Sequence, residues 1–327
     1  MNRPTLRIAF TDFYQGFNVT NNRIWNALKR HYQLELTEDL SNANLLVFGD
    51  FGINHWKFNG RKIYITGENM LPDFNQCDLA FTPAEIPGER RAVRLPLYAQ
   101  FIEPLRTLVR QPNFSASSQL NKKGFCSFVV SNPECRFRNK LFKTIHRRRT
   151  VASGGKHFNT TGSIVGNKLE FLKDYQFNIA CENSSSPGYI TEKLIDPLLA
   201  GSVPIYWGDP EIGRDFNLKC MINVSDFKSL HDLVDYVLMV AENDSLRQSI
   251  LEAPVFRNNQ LPECTADETI SAPIIDLLEN RAAGIRTLRI RRFREHIKTR
   301  QNYLTYKYEK IFCKIESLLW NGGFRTK

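Results

Sequence analysis

Tyr189, Glu192 and Lys193 place a hydroxyl, a carboxylate and an ammonium within five residues, directly after a polar loop from Ser184 to Gly188. An ammonium pairs with phosphate oxygens, and a carboxylate accepts hydrogen bonds from sugar hydroxyls. If the three residues share the first turn and a half of a helix, the unpaired N–H groups of its N-terminus add a site for an anion, and a phosphate is the natural occupant. The flanking pattern supports that placement. Gln176 to Cys181 reads as a short buried strand that the Ser/Pro/Gly loop stops. Ile190, Leu194, Ile195, Leu198 and Leu199 recur at helical spacing, Gly201 is a plausible stop, and Val203 to Trp207 reads as the next buried strand. The result is a β-loop-α-β unit whose loop lies at a strand's carboxyl end, where open α/β sheets bind ligands. Pro197, inside the helix, is expected to kink it and so to orient Lys193.

Two further places carry suitable groups. Glu68, in Ile65-Thr66-Gly67-Glu68-Asn69, follows a strand and precedes Pro72, which puts it on a loop at a carboxyl edge. Read alone, a loop glutamate is simply solvated. Arg136 and Arg138 come just after another strand and enter a helix; a planar guanidinium can take two phosphate oxygens at once. Taken singly, either is equally a surface helix arginine, Glu192 a first-turn complement to the helix dipole, and Asn183 a loop cap. No D-x-D occurs, and the six histidines form no H-x-H or H-E-x-x-H pattern. Cationic side chains and a helix terminus are therefore expected to do a metal's work.

The run F-N-x3-E-N-S…G-Y-I-T-E-K-L-I-D, followed by A-G-S-V-P-I-Y-W-G, resembles the donor-binding signature of the α1,3/4-fucosyltransferases, and the T-G-E-N segment at Glu68 matches the same family. The resemblance is close from Thr66 to about Phe227, loose over the first sixty residues, and one of character only in the tail. It implies an inverting enzyme of bacterial type that moves L-fucose from GDP-fucose to a GlcNAc or glucose hydroxyl, expected to be α1,3, of an N-acetyllactosamine- or lactose-type glycan, as in Lewis antigen synthesis. It further implies Glu68 as catalytic base, and Arg138 rather than Arg136 as the phosphate-binding arginine. Lys193 would share the diphosphate and Tyr189 would donate its hydroxyl to it. Glu192 would contact the donor sugar or ribose and stabilise positive charge at the anomeric carbon, and Asn183 would add a donor-site hydrogen bond. No metal or other cofactor is expected. Two alternatives stay open: a transferase of the same fold using another nucleotide, and an inactive GDP-sugar-binding relative.

These groups need elements to hold them. With 42% hydrophobic residues in 327, the chain can build two domain cores. Strands are expected at Leu6–Thr11, Asn44–Phe48, Lys62–Thr66 and Asp78–Thr82, with a helix over Thr20–Tyr32, giving a parallel Rossmann-like acceptor domain over 1–110. Polar residues 111–123 read as a linker. A second Rossmann-like unit over 124–260, binding the donor, has strands at Phe125–Val130 and Cys220–Val224 and helices over Arg138–Ile145 and Leu230–Glu242. Together they predict an α/β fold of GT-B type, two units facing a central cleft, followed by a helical segment over 261–327. Asp209 and Arg214 to Asn217 are expected to shape the loop beneath the nucleotide, and Trp25, Trp56 and Trp207 to serve packing.

Residues 285–327 hold twelve Lys and Arg against three Glu, which is nine of the chain's ten net positive charges. The body is nearly neutral. Ile285, Leu288, Phe293 and Ile297 begin an apolar stripe beside this charge, open to three readings: a helix closing on the body, an in-plane anchor on anionic membrane over 285–319, or a nucleic-acid patch. The resemblance favours the membrane reading for part of the segment, and the lack of an aromatic-basic motif argues against nucleic acid. Leu6 follows only five residues, with no cationic and apolar leader before it, and no window of about 18 apolar residues occurs. A cytoplasmic location is expected, peripheral at the inner membrane face through the tail. The seven cysteines, lacking any C-x-x-C pair, are expected to be reduced, and the N-x-T triplets at Asn18 and Asn159 to be coincidental.

Overall fold

The structure, a computed structural model, describes residues 3–110 and 122–279. Two parallel sheets form it. The first has six strands, β1 (Thr5–Thr11), β2 (Gln33–Leu36), β3 (Leu45–Phe48), β4 (Arg61–Ile65), β5 (Leu79–Thr82) and β6 (Ala92–Arg94), in the order β2-β1-β3-β4-β5-β6. The second has five, β7 (Gly124–Phe128), β8 (Val151–Ser153), β9 (Tyr175–Cys181), β10 (Val203–Trp207) and β11 (Ile222–Asn223), in the order β11-β10-β9-β7-β8. Every paired strand is parallel. β3 (LLVF) and β5 (LAFT) are buried at every position, as strands covered on both faces must be. The α/β fold of two Rossmann-like units follows the expectation.

Details differ where the apolar signal is short. The helix expected over Thr20–Tyr32 is one of six residues, α1 (Arg23–Leu28), started by Asn22, whose side chain accepts the Trp25 N–H. β2 and β6 were not expected; β2 lies at the sheet's edge, largely exposed, so its residues show no core alternation. In the second unit, α3 (Arg136–Arg148), which follows α2 (Ile102–Arg110), starts two residues before the expected helix. β11 shrinks to two residues. Between β8 and β9 lies α4 (Lys168–Lys173), between β9 and β10 α5 (Glu192–Ala200), and after β11 come α6 (Leu230–Glu242) and α7 (Asp244–Glu252).

α5 is capped at both ends. Thr191 accepts the Lys193 N–H, and Gly201, at φ +63°, takes the left-handed turn that lets its N–H reach the Leu198 and Pro197 carbonyls. The helix runs through Pro197 unbroken.

The second sheet has a core of its own around Phe128, Phe177, Ile205 and Val237, and a further cluster spans the two units. Residues of the first sheet, such as Ile65 and Phe81, form a continuous apolar cluster with Ile190, Leu194 and Leu198 of α5 and its lead-in. α8 (Asp267–Glu279) returns to the first unit, placing Ile270 and Ile274 in that cluster, while Asp267 pairs with Arg23 at 3.0 Å and Arg30 at 2.8 Å. The segment read as starting a tail at residue 261 thus begins as part of the body. Residues 111–121 of the expected linker and the basic stretch 285–319 lie outside the described residues. Asp215 is likewise reassigned. It is buried between the units, pairing with Arg94 at the end of β6 and accepting the Tyr98 hydroxyl at 2.7 Å, so it fastens the units together and is no mere loop shaper. The six described cysteines are buried and form no disulfide with one another. No helix among the described residues is long and apolar enough to cross a membrane.

Candidate functional site

The strand order of the second sheet reverses between β7 and β9, and the crevice beyond the carboxyl ends of such a pair is where open α/β sheets take ligands. Arg138 spans it. Its Nη2 donates to the Asn132 carbonyl beyond β7 at 2.6 Å, and its Nη1 to Asn183 Oδ1 at 2.7 Å and the Cys181 carbonyl at 3.3 Å, both at the end of β9. Helical phase explains why this arginine turns inward: it lies on the same face of α3 as Leu141, Phe142 and Ile145, whereas Arg136 is exposed. The guanidinium is fully buried, its Nε–H has no partner, and among the described residues its partners are carbonyl and amide oxygens with no carboxylate. A buried charge without a counter-charge is costly, which makes this an anion-seeking centre. It is also already committed, so the expected direct grip on a diphosphate requires Asn183 to yield.

Next to Asn183 stands a residue the sequence reading passed over. Glu182 is fully buried, accepts the Thr191 N–H at 2.8 Å and its hydroxyl at 2.8 Å, and lies 3.3 Å from Lys193 Nζ. Lys193 Nζ also donates to the Thr191 hydroxyl at 3.0 Å and sits 3.4 Å from Glu192. These contacts orient the ammonium. Burial pushes the Glu182 carboxyl up, more than the neighbouring Lys193 charge and the Thr191 hydrogen bonds bring it down. Burial works against the Lys193 ammonium as well, but Glu182 and Glu192 overcome it and hold the pKa above the ordinary lysine range. Glu192 shows the opposite balance: burial raises it, and Lys193 and Lys168 bring it below the usual range.

The first unit meets this cluster through the Thr66–Asn69 loop after β4. Glu68 is exposed, and its charge lies near the Tyr189 hydroxyl, whose pKa is driven up by burial first and then by the Glu68 charge. Tyr189 is itself buried. Asn69 clamps the opposite loop, donating to Ser184 Oγ at 3.0 Å and accepting from Ser186 Oγ at 2.7 Å. Gly188, at φ +76°, packs so closely that a Cβ there would lie 2.3 Å from the Pro83 carbonyl oxygen. The six anticipated residues form three neighbouring sets, Glu68 near Tyr189, Lys193 beside Glu192, and Arg138 bonded to Asn183, with Glu182 linking the last two. Glu182 and Asn69 are the additions. Of the three tryptophans, Trp25 packs on the first core and Trp207 stacks on Phe137 at 4.6 Å. Trp56 departs from the packing expectation: it is exposed, its indole N–H held by Gln76 Oε1 at 3.1 Å.

Comparison with known proteins gives matches on both units. The Alpha-(1,3)-fucosyltransferase FucT N-terminal domain matches residues 8–101, and Glycosyltransferase family 10 (fucosyltransferase) C-term matches residues 119–252. The chain is 32% identical over 271 residues to Alpha-(1,3)-fucosyltransferase FucT of Helicobacter pylori, covering 72% of this chain and 57% of that protein. It is 42% identical over 95 residues to Alpha-(1,3)-fucosyltransferase B of Drosophila melanogaster, covering 28% and 21%. The chain thus spans little more than half the length of the first relative and much less of the second. A crystal structure of an alpha1,3-fucosyltransferase with GDP-fucose superposes with a TM-score of 0.73 at 26% identity, covering 87% of this chain and 93% of that one.

Proposed function

The chain belongs to glycosyltransferase family 10, the fucosyltransferases, and on that premise we propose that it transfers L-fucose from GDP-fucose to an oligosaccharide hydroxyl, with inversion at the anomeric carbon. The acceptor is a GlcNAc or glucose residue of an N-acetyllactosamine- or lactose-type glycan, and the new linkage is α1,3. One observation carries the reading: an exposed acid of the first unit, Glu68, stands against the Tyr189 hydroxyl of the second, beside a helix N-terminus with Lys193 and the buried Arg138 charge.

The steps follow from that placement. GDP-fucose lies with its diphosphate near the N-terminus of α5, where the positive end of the helix dipole and Lys193 meet the phosphate charge. Arg138 adds its field from beneath Asn183, and its Nη1, now held by Asn183, is offered to a phosphate oxygen once Asn183 turns aside. The acceptor oxygen attacks the anomeric carbon from the face opposite the phosphate. The carbon–oxygen bond to GDP breaks as the new one forms, and the acceptor proton passes to Glu68. Glu192, held ionised by Lys193 and Lys168, faces the positive charge that develops on the sugar ring. The departing GDP gains a negative charge that fixed cations are placed to receive, so the transfer is proposed to run without a metal ion.

The test is GDP release from GDP-fucose with an array of lactose, N-acetyllactosamine and lacto-N-biose, with and without EDTA, followed by linkage analysis of the product. Acceptor-dependent release with an α1,3 product, unchanged by EDTA, is expected. Equal or faster turnover of another sugar nucleotide would overturn the donor assignment, and loss of activity with EDTA would overturn the metal-free mechanism.

A further inference from the structure

Behind Glu68 lies a buried chain of hydrogen bonds that the transfer reaction does not touch. Asp50, two residues beyond β3, accepts the Tyr64 hydroxyl on one carboxylate oxygen and the Thr66 hydroxyl at 2.6 Å on the other. Thr66 Oγ1 in turn accepts the Glu68 N–H at 3.0 Å. Tyr64 and Thr66 are both buried, and each sits at the carboxyl end of β4 or one residue beyond it.

The direction of these bonds is fixed by proton count. Burial raises the Asp50 pKa while the Thr66 and Tyr64 hydrogen bonds favour its charged form, and the ionised carboxylate only accepts, so both hydroxyls donate to it. Thr66 has a single hydroxyl proton, and once it is spent on Asp50 the oxygen offers only lone pairs to the Glu68 N–H. The loop is pinned again at the Glu68 carbonyl, which accepts the Met70 N–H at 2.8 Å, and at Asn69, which clamps the other unit through Ser184 and Ser186. Gly67 is tightly packed, since a Cβ there would come within 2.6 Å of the Leu97 side chain. Of these fixings, the one that acts on the Glu68 backbone nitrogen runs through Thr66 to Asp50.

We propose that Asp50 and Thr66 are positioning residues for the transfer, holding the Glu68 backbone through a one-way Asp50–Thr66–Glu68 relay so that the base carboxylate meets the acceptor hydroxyl. This rests on Glu68 acting as the base. Asparagine at position 50 keeps the shape but presents one acceptor and one donor. One hydroxyl must then turn round, and if Thr66 is the one that turns, its proton faces the Glu68 N–H, donor against donor. Valine at 66 removes the pin, while serine retains it.

The experiment measures kcat, KM for GDP-fucose, GDP affinity and melting temperature for Asp50→Asn, Thr66→Val, Thr66→Ser and Glu68→Gln, alone and with Asp50→Asn combined with Glu68→Gln. Misplacing a reacting group by about 1 Å can cost up to about 10²-fold, so Asp50→Asn and Thr66→Val are expected to lower kcat by roughly 10-fold or more. GDP affinity should stay within about twofold, Thr66→Ser should recover most of kcat, and the double variant should be no slower than Glu68→Gln alone. Wild-type kcat in Thr66→Val, or equal losses in Thr66→Ser and Thr66→Val, would overturn the relay, as would a fall in GDP affinity matching the fall in activity. The Thr66 pair decides the matter even if Asp50→Asn does not fold. Should Glu68→Gln itself transfer normally, it is the assignment of the base that fails; should it be inactive while Thr66→Val is normal, the relay alone fails.

Discussion

Glu182 and Lys193 show how the lysine proposed to meet the diphosphate is held by its neighbours. The carboxylate is buried at the foot of the cleft, caps α5 through Thr191 and keeps the ammonium charged. A hydrogen bond to a charged group contributes about 1.5–3 kcal/mol, so Glu182→Gln should destabilise the fold by about that amount and weaken GDP binding. Thermal melting and calorimetric titration read both; wild-type values would deny Glu182 its role. The pH behaviour of Lys193 follows from its raised pKa. Stability from this group is complete below the ordinary lysine value of about 10.4 and is lost only as pH rises through the higher folded value, so GDP affinity should hold between about pH 7 and pH 9. A loss of affinity inside that window, absent in Lys193→Arg, would contradict it. Lys193, Glu192 and Tyr189 could be read from sequence because they share one helix start, where spacing dictates proximity. Glu182 could not, because whether a residue just past a strand turns into the core or into solvent depends on where the ladder stops. Its place as the E of the F-N-x3-E-N-S run, directly after a buried strand and nine residues before Thr191, was the hint.

At the level of elements, the loop from Ser184 to Gly188 is the joint at which the two units press together. Gly188 occupies a left-handed conformation with a backbone oxygen of the other unit where a side chain would go. The left-handed conformation alone costs roughly 1–2 kcal/mol with a Cβ present, and the Pro83 contact adds to it. Gly188→Ala should therefore lower the melting temperature and reduce kcat by separating Glu68 from Tyr189; activity assays and a melting curve check both, and a variant equal to wild type would show that the close approach is not needed. The elements with unbroken apolar periodicity were legible, α6 falling on Leu230–Glu242 as expected and β10 on Val203–Trp207, whereas α2, α4 and α7 had no counterpart in the expectation. β6 and β8 were not legible, since a three-residue strand offers no period to count and exists only because a longer neighbour supplies the hydrogen bonds. Arg138 lies between these cases: the sequence offered two arginines, and the phase of α3 against Leu141 and Ile145 turns one of them inward.

For the whole molecule, the meeting of the two units rests on an apolar cluster that spans them and on the buried Arg94–Asp215 pair, to which Tyr98 donates its hydroxyl. Removing one partner of such a pair strands the other charge and costs about 3–5 kcal/mol, so Asp215→Ala should lower stability by that order and split a single unfolding transition into two. Calorimetry would show it, and one unshifted transition would mean that the apolar cluster suffices alone. The account as a whole stands on one division of labour, in which the second unit holds GDP-fucose and the first supplies the base. The most direct test is Glu68→Gln, measured for acceptor-dependent GDP release and, in parallel, for GDP-fucose affinity. General-base catalysis contributes about 10²- to 10⁴-fold, so release should fall by that factor while affinity stays at the wild-type value. Release at the wild-type rate would contradict the account.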